Sequence, residues 1–297
     1  MIQGLDQYLD EINELLHLEF SFLPRWRIED VMVTSGSQGA NCGAHFDHYD
    51  VFLVQVRGSK EWRLDTQDHV DDDLDDNASI RLLKCFEPVK TELLAPGDVL
   101  YVPPGIGHWG LSVDDSITLS VGIRNPTMQE LVSNLADLIV EETDSMETLD
   151  DLMPSPEGGL SPEGLQNLQT RLSEVMLDTH LIAQWYGTYV TEPREPDTVE
   201  LDTHLDTASV RQLLSRNYSI VCKRSTRLTY YDGDTFTAFI NGDAFECDAS
   251  VKSWLEPLCI HRLVLCKNVT NKKSNIDLLQ ALINYGAVEL RREEANG

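Results

Sequence analysis

Three side chains with metal-binding chemistry lie in two short segments of the chain. His45-Phe46-Asp47 lies in GAHFDHYDVFLVQVRGSKEWRL at 43–64, and His108 follows a Pro/Gly turn in APGDVLYVPPGIGHWGLS at 95–112. If the first segment is a strand, His45 and Asp47 point to one face, because side chains alternate along a strand. Two imidazoles and one carboxylate leave positions open on Fe(II) for a bidentate cosubstrate and dioxygen. The residue types therefore indicate non-haem iron chemistry.

A second H-x-D leaves the choice of ligands open. His48-Tyr49-Asp50 follows directly and would lie on the opposite face of the same predicted strand. Short matches of this kind are common by chance, and each histidine could equally be an ordinary turn residue. Periodicity alone does not choose between the two pairs.

The six cysteines indicate reduced thiols, because no C-x-x-C pair is present to suggest a disulfide framework. A zinc site is the weaker alternative, since the spacing of its candidate ligands matches no paired-ligand pattern. Those candidates are Cys247, Cys259, His261 and Cys266.

Composition predicts a soluble, cytoplasmic protein of two or three compact units. The chain has 297 residues, of which 41% are hydrophobic, and no apolar run approaches the roughly 18–20 residues that span a bilayer. The net charge is 23 − 50 = −27, and residues 1–200 hold 11 Lys+Arg against 38 Asp+Glu. This charge disfavours nucleic acid and favours basic partners, although solubility alone is an equally good reason for it.

The first 126 residues have the pattern of a barrel or sandwich that could position the candidate ligands. An amphipathic helix is predicted at 5–17, and short strands with Gly and Pro between them follow. No β-α alternation or GxGxxG is present, which argues against a dinucleotide-binding sheet. The predicted strands are Arg27 to Ser35, Val51 to Val56, Glu61 to Leu64, Leu93 to Pro96, Val99 to Val102 and Ile117 to Ile123.

Helical periodicity begins at Thr127, where Thr-Met-Gln-Glu forms a capping box. Ser161-Pro162 predicts the start of a second helix, so residues 127–190 are expected to be helical and 191–200 to be a linker. The last part contains hairpin signals and two helices. These are Asp232-Gly233 and Asn241-Gly242, with helices at about 206–216 and 274–285.

Several motifs together resemble the JmjC-type ribosomal oxygenases, with the strongest likeness to the bacterial ribosomal-protein arginyl hydroxylases. The resemblance extends past the strand-rich part and covers nearly the whole chain. Its motifs are GSQG at 36–39, the H-x-D, DVFLVQVRG, the Lys and Trp that follow, PGDVLYVPPGIGH, and RNPTMQELVSNLADLIV.

The resemblance implies a mainly β plus α fold. It predicts a JmjC/cupin double-stranded β-helix barrel at 1–126, a helical dimerisation region at 127–190 and the linker at 191–200. A winged-helix-like domain is expected at 201–297. Family members usually carry several tens of residues before the point matching Met1, so the chain is expected to be short at its N-terminus.

The resemblance also implies roles for individual residues. It selects the first H-x-D, so that His45, Asp47 and His108 bind Fe(II) while His48 and Asp50 do not. The cosubstrates are 2-oxoglutarate and O2. Lys60 is expected to bind the distal carboxylate of 2-oxoglutarate, with hydroxyls nearby from Ser120 and, as a weaker candidate, Thr34.

The expected substrate is an arginine of a basic ribosomal protein, protein sixteen of the large subunit, and the expected assembly is a homodimer. Direct nucleic-acid binding is not expected, because residues 201–297 hold 12 Lys+Arg against 12 Asp+Glu. Membrane association is not expected either, because the apolar runs are too short to span a bilayer. Two alternatives remain open. One is a JmjC oxygenase for another protein, such as a histidyl hydroxylase or a demethylase-like enzyme, and the other is an inactive cupin-like binding protein.

Overall fold

A computed structural model describes residues 1–142, 161–193 and 204–292, and the chain divides into two units, Met1–Asn125 and Pro126–Gly297. The first unit is built from antiparallel strands after two short helices. Its helices are α1 (Leu5–Tyr8) and α2 (Asp10–Glu19), and its strands are β1 (Ile28–Gly36), β2 (Asp50–Arg57), β3 (Lys60–Asp68), β4 (Lys90–Leu94), β5 (Val99–Val102), β6 (Ile106–Ser112) and β7 (Ser116–Ile123).

Two sheets make up the first unit, with strand orders β1-β7-β2-β5 and β4-β3-β6. Strand alternation explains why β2 forms, because Val51, Leu53 and Gln55 are buried while the residues between them are partly exposed. The register places Lys60 opposite Ser112 and Leu64 opposite His108 on neighbouring strands. The second sheet therefore carries both a predicted ligand and the predicted cation.

Three expectations for the first unit were wrong in detail. The predicted helix 5–17 is broken at Leu9, whose backbone is extended. The H-x-D does not lie on a regular strand, because β2 begins only at Asp50, and the alternation argument for His45 and Asp47 does not apply. His108 follows strand β5 and a Pro/Gly turn, as expected, but it also lies inside β6, a strand that was not predicted. In addition, β3 continues to Asp68, and β4 covers 90–94 instead of 93–96.

The second unit combines six helices with two three-stranded sheets, β12-β8-β13 and β11-β10-β9, in the part of it that the structure describes. Its helices are α3 (Met128–Glu142), α4 (Pro162–Leu177), α5 (Thr179–Thr191), α6 (Thr207–Leu214), α7 (Lys252–His261) and α8 (Lys273–Asn284). Its strands are β8 (Tyr218–Cys222), β9 (Leu228–Asp232), β10 (Phe236–Ile240), β11 (Asp243–Cys247), β12 (Leu263–Leu265) and β13 (Val288–Arg292).

Local signals in the second unit are confirmed. The Thr127 hydroxyl accepts the Glu130 N–H at 3.2 Å, and the Glu130 carboxylate accepts the Thr127 N–H at 2.8 Å. The Ser161 hydroxyl accepts the Gly164 N–H at 2.9 Å. Asn241 and Gly242 have φ of 50° and 91°, as a hairpin turn requires.

Some features of the second unit differ from expectation. A break at Asp178, which caps α5, divides the predicted second helix into α4 and α5. Helix α5 packs against β9, β10 and β11, so it joins the helical region to the C-terminal part in one unit. Helix α7 was not predicted, and it contains Pro257. Residues 143–160 of the predicted helical region and most of the predicted linker lie outside the described residues. Among the described helices, none combines the length and the apolar character of a membrane span.

Candidate metal centre

One cavity of the first unit brings together all six residues to which the sequence analysis gave a role. The cavity contains about 680 Å³ of space, part of it open to solvent, and both sheets contribute to its walls. The six residues are His45, Asp47, His108, Lys60, Ser120 and Thr34.

Backbone pairing explains how the H-x-D reaches His108. His45 pairs with His108 as an isolated antiparallel bridge, with N–H···O distances of 3.0 and 2.7 Å. The Asp47 carbonyl then accepts the Gly105 N–H at 2.9 Å. The segment is therefore docked against β6 and the turn before it. One ligand atom from each of His45, Asp47 and His108 lies within 4.8 Å of the others.

Hydrogen bonds fix which nitrogen of each histidine faces the cluster. His45 Nδ1 lies 3.0 Å from the Gly43 carbonyl oxygen, and His108 Nδ1 lies 3.0 Å from that of Ile106. A carbonyl oxygen only accepts, so each Nδ1 carries the proton and each Nε2 keeps a free lone pair. His108 Nε2 lies 3.6 Å from Asp47 Oδ2. The two lone pairs and the carboxylate thus fit a cation.

The electrostatic environment keeps His108 neutral. Its side chain is 2% exposed, and burial together with the neighbouring His45 lowers the pKa of His108 to about 4, although Asp47 acts in the opposite direction. A neutral imidazole is the form that binds a metal ion. Two neutral imidazoles and one carboxylate form the donor set that suits non-haem Fe(II) with open positions.

His48 and Asp50 of the second H-x-D form hydrogen bonds away from the candidate metal ligands. His48 Nε2 lies 2.9 Å from Asp71 Oδ1 on the exposed surface, and Asp50 accepts hydrogen bonds from Tyr101 and Asn125 at 2.5 and 2.6 Å. Within residues 1–142, 161–193 and 204–292, His45, Asp47 and His108 form the one group of three or more ligands close enough to hold a metal ion. The alternative cysteine and histidine zinc site therefore does not form.

Lys60 is a buried cation in the same cavity. It is 9% exposed, its Nζ lies 4.7 Å from the ring centroid of Trp62, and burial lowers its pKa. No carboxylate of the described chain forms an ion pair with it. Trp62 Nε1 is also buried and has no hydrogen-bond partner among the described residues. Two donors are thus available to an anion in the cavity.

A glycine makes room for these two side chains. A Cβ at Gly110 would lie 2.6 Å from Lys60 Cε and 2.8 Å from the Trp62 ring. Ser120 lies on β7 between Met32 and Leu53 of the flanking strands, and Thr34 Oγ1 is 3.5 Å from the Thr118 carbonyl oxygen. Both hydroxyls therefore lie on the wall formed by the β1-β7-β2-β5 sheet.

Sequence reasoning missed Asp30 and Tyr49 as cavity residues. Burial and the charges of Asp47, Asp30 and Glu29 raise the pKa of Tyr49 to about 12. Tyr49 precedes β2 in an irregular segment, so strand alternation gave no signal for it. This wall of the cavity is acidic, which favours a cationic group.

Comparisons with known proteins match both parts of the chain. Residues 15–131 match the JmjC domain family, and residues 173–289 match the ROXA-like winged helix family. The chain is 25% identical to "Ribosomal protein uL16 3-hydroxylase" of Escherichia coli, over 96% of this chain and 77% of the relative. It is 26% identical to a "Probable ribosomal oxygenase" of Haemophilus influenzae, over 92% and 68%.

A solved structure shows the same fold. The ribosomal oxygenase YcfD from Escherichia coli, in complex with cobalt and 2-oxoglutarate, superimposes with a TM-score of 0.81 at 25% identity, over 97% of this chain and 76% of that one. The fold class predicted from the sequence, a JmjC barrel followed by helices and a winged helix, is confirmed.

The geometry predicts different effects for the two adjacent histidines. His45→Ala should abolish binding of Mn(II) or Co(II) and all turnover, because it removes one of three ligands. His48→Ala should leave metal binding nearly intact, because His48 contacts surface groups. Isothermal titration of both variants with Mn(II) measures the difference. Equal losses in the two variants would contradict the ligand assignment.

Proposed function

The chain belongs to the JmjC-type ribosomal oxygenases, and we propose that it is an Fe(II)- and 2-oxoglutarate-dependent hydroxylase of an arginine side chain in ribosomal protein uL16. The observation that carries this proposal is the convergence of His45, Asp47 and His108 in a cavity that also contains Lys60, a buried lysine without an ion pair among the described residues. A binding protein without catalysis would have no need of this donor set. The name of the Escherichia coli relative supports uL16 as the substrate, and the solved YcfD complex supports 2-oxoglutarate as the cosubstrate.

The residues present fit the metal and the cosubstrate. His45, Asp47 and His108 would hold Fe(II), and Lys60 would bind the distal carboxylate of 2-oxoglutarate. Once bound, these groups supply the oxidising power: O2, 2-oxoglutarate and a substrate C–H become succinate, CO2 and a C–OH. One oxygen atom enters succinate and the other enters the product.

The protein's own contribution is position, charge and exclusion of water. The Lys60 ammonium would offset one carboxylate charge, and the Trp62 N–H offers a donor that has no acceptor in the described part of the chain. The hydroxyls of Ser120 and Thr34 offer further hydrogen bonds on the facing wall. The apolar side chains of Val51 and Leu53 line part of the remaining surface and disfavour bulk water there.

A basic substrate suits the acidic character of the chain. Opposite net charges accelerate encounter and make it sensitive to salt, whereas specificity comes from local contacts. Asp30 lines the cavity beside Tyr49 and is not one of the proposed metal ligands, so its carboxylate is available to a cationic side chain. A guanidinium would be attracted to this wall, which supports an arginine as the hydroxylated residue.

Lys60 provides the test of cosubstrate binding. Lys60→Ala should raise the 2-oxoglutarate concentration for half-maximal turnover by about 10- to 100-fold, because a charge-assisted hydrogen bond contributes roughly 1.5–3 kcal/mol. Succinate formation at increasing 2-oxoglutarate measures this change, and the affinity for Mn(II) should stay the same. Lys60→Arg should retain activity, while Lys60→Met, which keeps the length and loses the charge, should behave as Lys60→Ala. An unchanged 2-oxoglutarate requirement in Lys60→Met would exclude this role.

The substrate is tested by mass spectrometry of uL16 peptides. A peptide that contains the target arginine should gain about 16 mass units with Fe(II), 2-oxoglutarate and O2. The same peptide with lysine in place of arginine is the matched control and should not change. If a different ribosomal protein is hydroxylated while the arginine peptide is not, the chain is an oxygenase with another substrate.

We also propose that the helical region holds two chains together. On α3, apolar side chains recur every four residues and remain largely exposed, as do two leucines of α4. Such stripes need a partner, and a second copy would bury them symmetrically. They consist of Met128, Val132, Ala136 and Val140 on α3, with Leu165 and Leu172 on α4.

Light scattering tests the dimer. We expect twice the mass of the 33.5 kDa chain, and Val132→Glu should shift the protein toward monomer, because it places a charge in the apolar stripe. Ile260→Glu is the matched control, since Ile260 is 56% exposed on α7 outside the stripe. A wild-type monomer at micromolar concentration would reject the dimer.

A further inference from the structure

A buried acid–histidine pair lies at the end of β3, behind the metal centre. Asp65 Oδ2 lies 2.7 Å from His69 Nε2, and the two side chains are only 2% and 5% exposed. Neither residue lines the cavity, and the proposed function gives neither a role. A buried charged pair costs desolvation, so its presence beside the site calls for a physical reason.

Asp65 contacts the strand that carries His108. Its Oδ1 accepts the Gly107 N–H at 3.0 Å, directly before the ligand in the chain. A Cβ at Gly107 would lie 2.5 Å from Asp65 Oδ2, so a glycine is required for the carboxylate to pack against the backbone here. The side chain of Asp65 thereby holds one end of β6 in place.

His69 contacts the other segment that carries ligands. Its ring stacks on Phe46 with centroids 5.9 Å apart and an angle of 28° between the planes. Phe46 is 2% exposed and lies between His45 and Asp47. In the backbone, His69 N–H donates to the Gly105 carbonyl at 2.9 Å, and Gly105 N–H donates to the Asp47 carbonyl at 2.9 Å. One residue thus contacts the H-x-D both directly and through the turn before β6.

Carboxylates lie on both sides of the His69 ring. Both nitrogens of His69 face carboxylates, because Nδ1 lies 3.3 Å from Asp73 Oδ2. Burial alone would lower the pKa of His69, but the hydrogen bonds and charges of Asp65 and Asp73 raise it above its ordinary value. The imidazolium compensates the buried Asp65 charge, and removal of either partner leaves the other uncompensated.

We propose that Asp65 and His69 form a positioning pair that sets the spacing between the His45–Asp47 segment and His108, and that this spacing determines metal affinity. The inference rests on the proposed function only in that it takes these three residues as the metal ligands. Neither Asp65 nor His69 touches the metal, so both are positioning residues. Groups that hydrogen-bond a ligand side chain directly commonly contribute 10- to 100-fold to metal affinity. Asp65 and His69 act one residue further away, through Gly107 and Phe46, so we expect the lower end of that range, about 10-fold.

Titration of the full chain with Co(II), followed by its visible absorption, tests the proposal. Asp65→Asn should raise the Kd for Co(II) by about 10-fold and change the shape of the absorption bands, because the ligand geometry relaxes. Asp98→Asn is the matched control. Asp98 also accepts a backbone N–H, from Ala95 at 2.8 Å, but contacts no segment that carries a ligand, so the Kd should not change.

A purely structural role gives a different result. It would lower the melting temperature of the metal-free protein but leave the Kd and the cobalt spectrum as in the wild type, and that outcome in a folded variant would overturn the proposal. If Asp65→Asn does not fold, the Kd of His69→Gln for Co(II) is measured instead. The glutamine amide can still donate to Asp65, while the stacked ring and the charge are lost. His69→Gln should show the same weakening of metal binding, and a wild-type Kd would reject the proposal.

The ligand variant His45→Ala distinguishes a failure of this inference from a failure of the proposed function. If His45→Ala loses Co(II) binding while Asp65→Asn and His69→Gln keep it, only the positioning pair is wrong. If His45→Ala binds Co(II) as well as the wild type, the ligand assignment itself fails.

Discussion

The site depends on one backbone interaction, the antiparallel bridge between His45 and His108. Its two hydrogen bonds join an irregular segment to the middle of a strand 63 positions away in the chain. Because the backbones are paired there, the two imidazoles extend from adjacent points, with ring centroids 4.3 Å apart. Asp47 then needs only the short turn from His45 to complete the donor set. The cavity walls, the buried lysine and the pair behind the centre are all arranged around this bridge.

The second constraint is a cation buried in a strongly acidic protein. The sequence contains 50 acidic and 23 basic residues, yet no carboxylate of the described chain forms an ion pair with Lys60. Burial of an ammonium without a partner is unfavourable, and the cost is offset when an anionic ligand enters. The cavity therefore separates its charges: acids lie near Tyr49, whereas the facing sheet offers Lys60 and the indole N–H of Trp62. This separation suits the dianionic cosubstrate and the cationic side chain that we propose as the ligands of the cavity.

Local sequence signals predicted local structure well. The capping box at Thr127 and the Asn241-Gly242 turn each depend on a few neighbouring residues, and both form as expected. The candidate ligands were also identifiable, because residue type and family resemblance pointed to them. Their convergence was not derivable from alternation along a strand, since His45 and Asp47 precede β2 and meet His108 through pairing between distant segments.

Other elements were not predicted, because they contain residues with a low propensity for a strand or a helix. Strand β6 contains Gly107 and Gly110, which weaken a strand signal, yet both are needed where Asp65 and Trp62 approach the backbone. Helix α7 contains Pro257, which removes a backbone donor inside the helix. It forms because Trp254, Leu255 and Leu258 are completely buried in the core of the second unit. Tertiary packing thus overrides propensity at these positions, and a single sequence does not reveal it.

The central claim is that His45, Asp47 and His108 together bind one metal ion. Anomalous X-ray scattering from crystals grown with Mn(II) tests it most directly. The account predicts a single strong peak about 2 Å from Nε2 of both histidines and from a carboxylate oxygen of Asp47. A peak between His48 and Asp50, with none at His108, would contradict it.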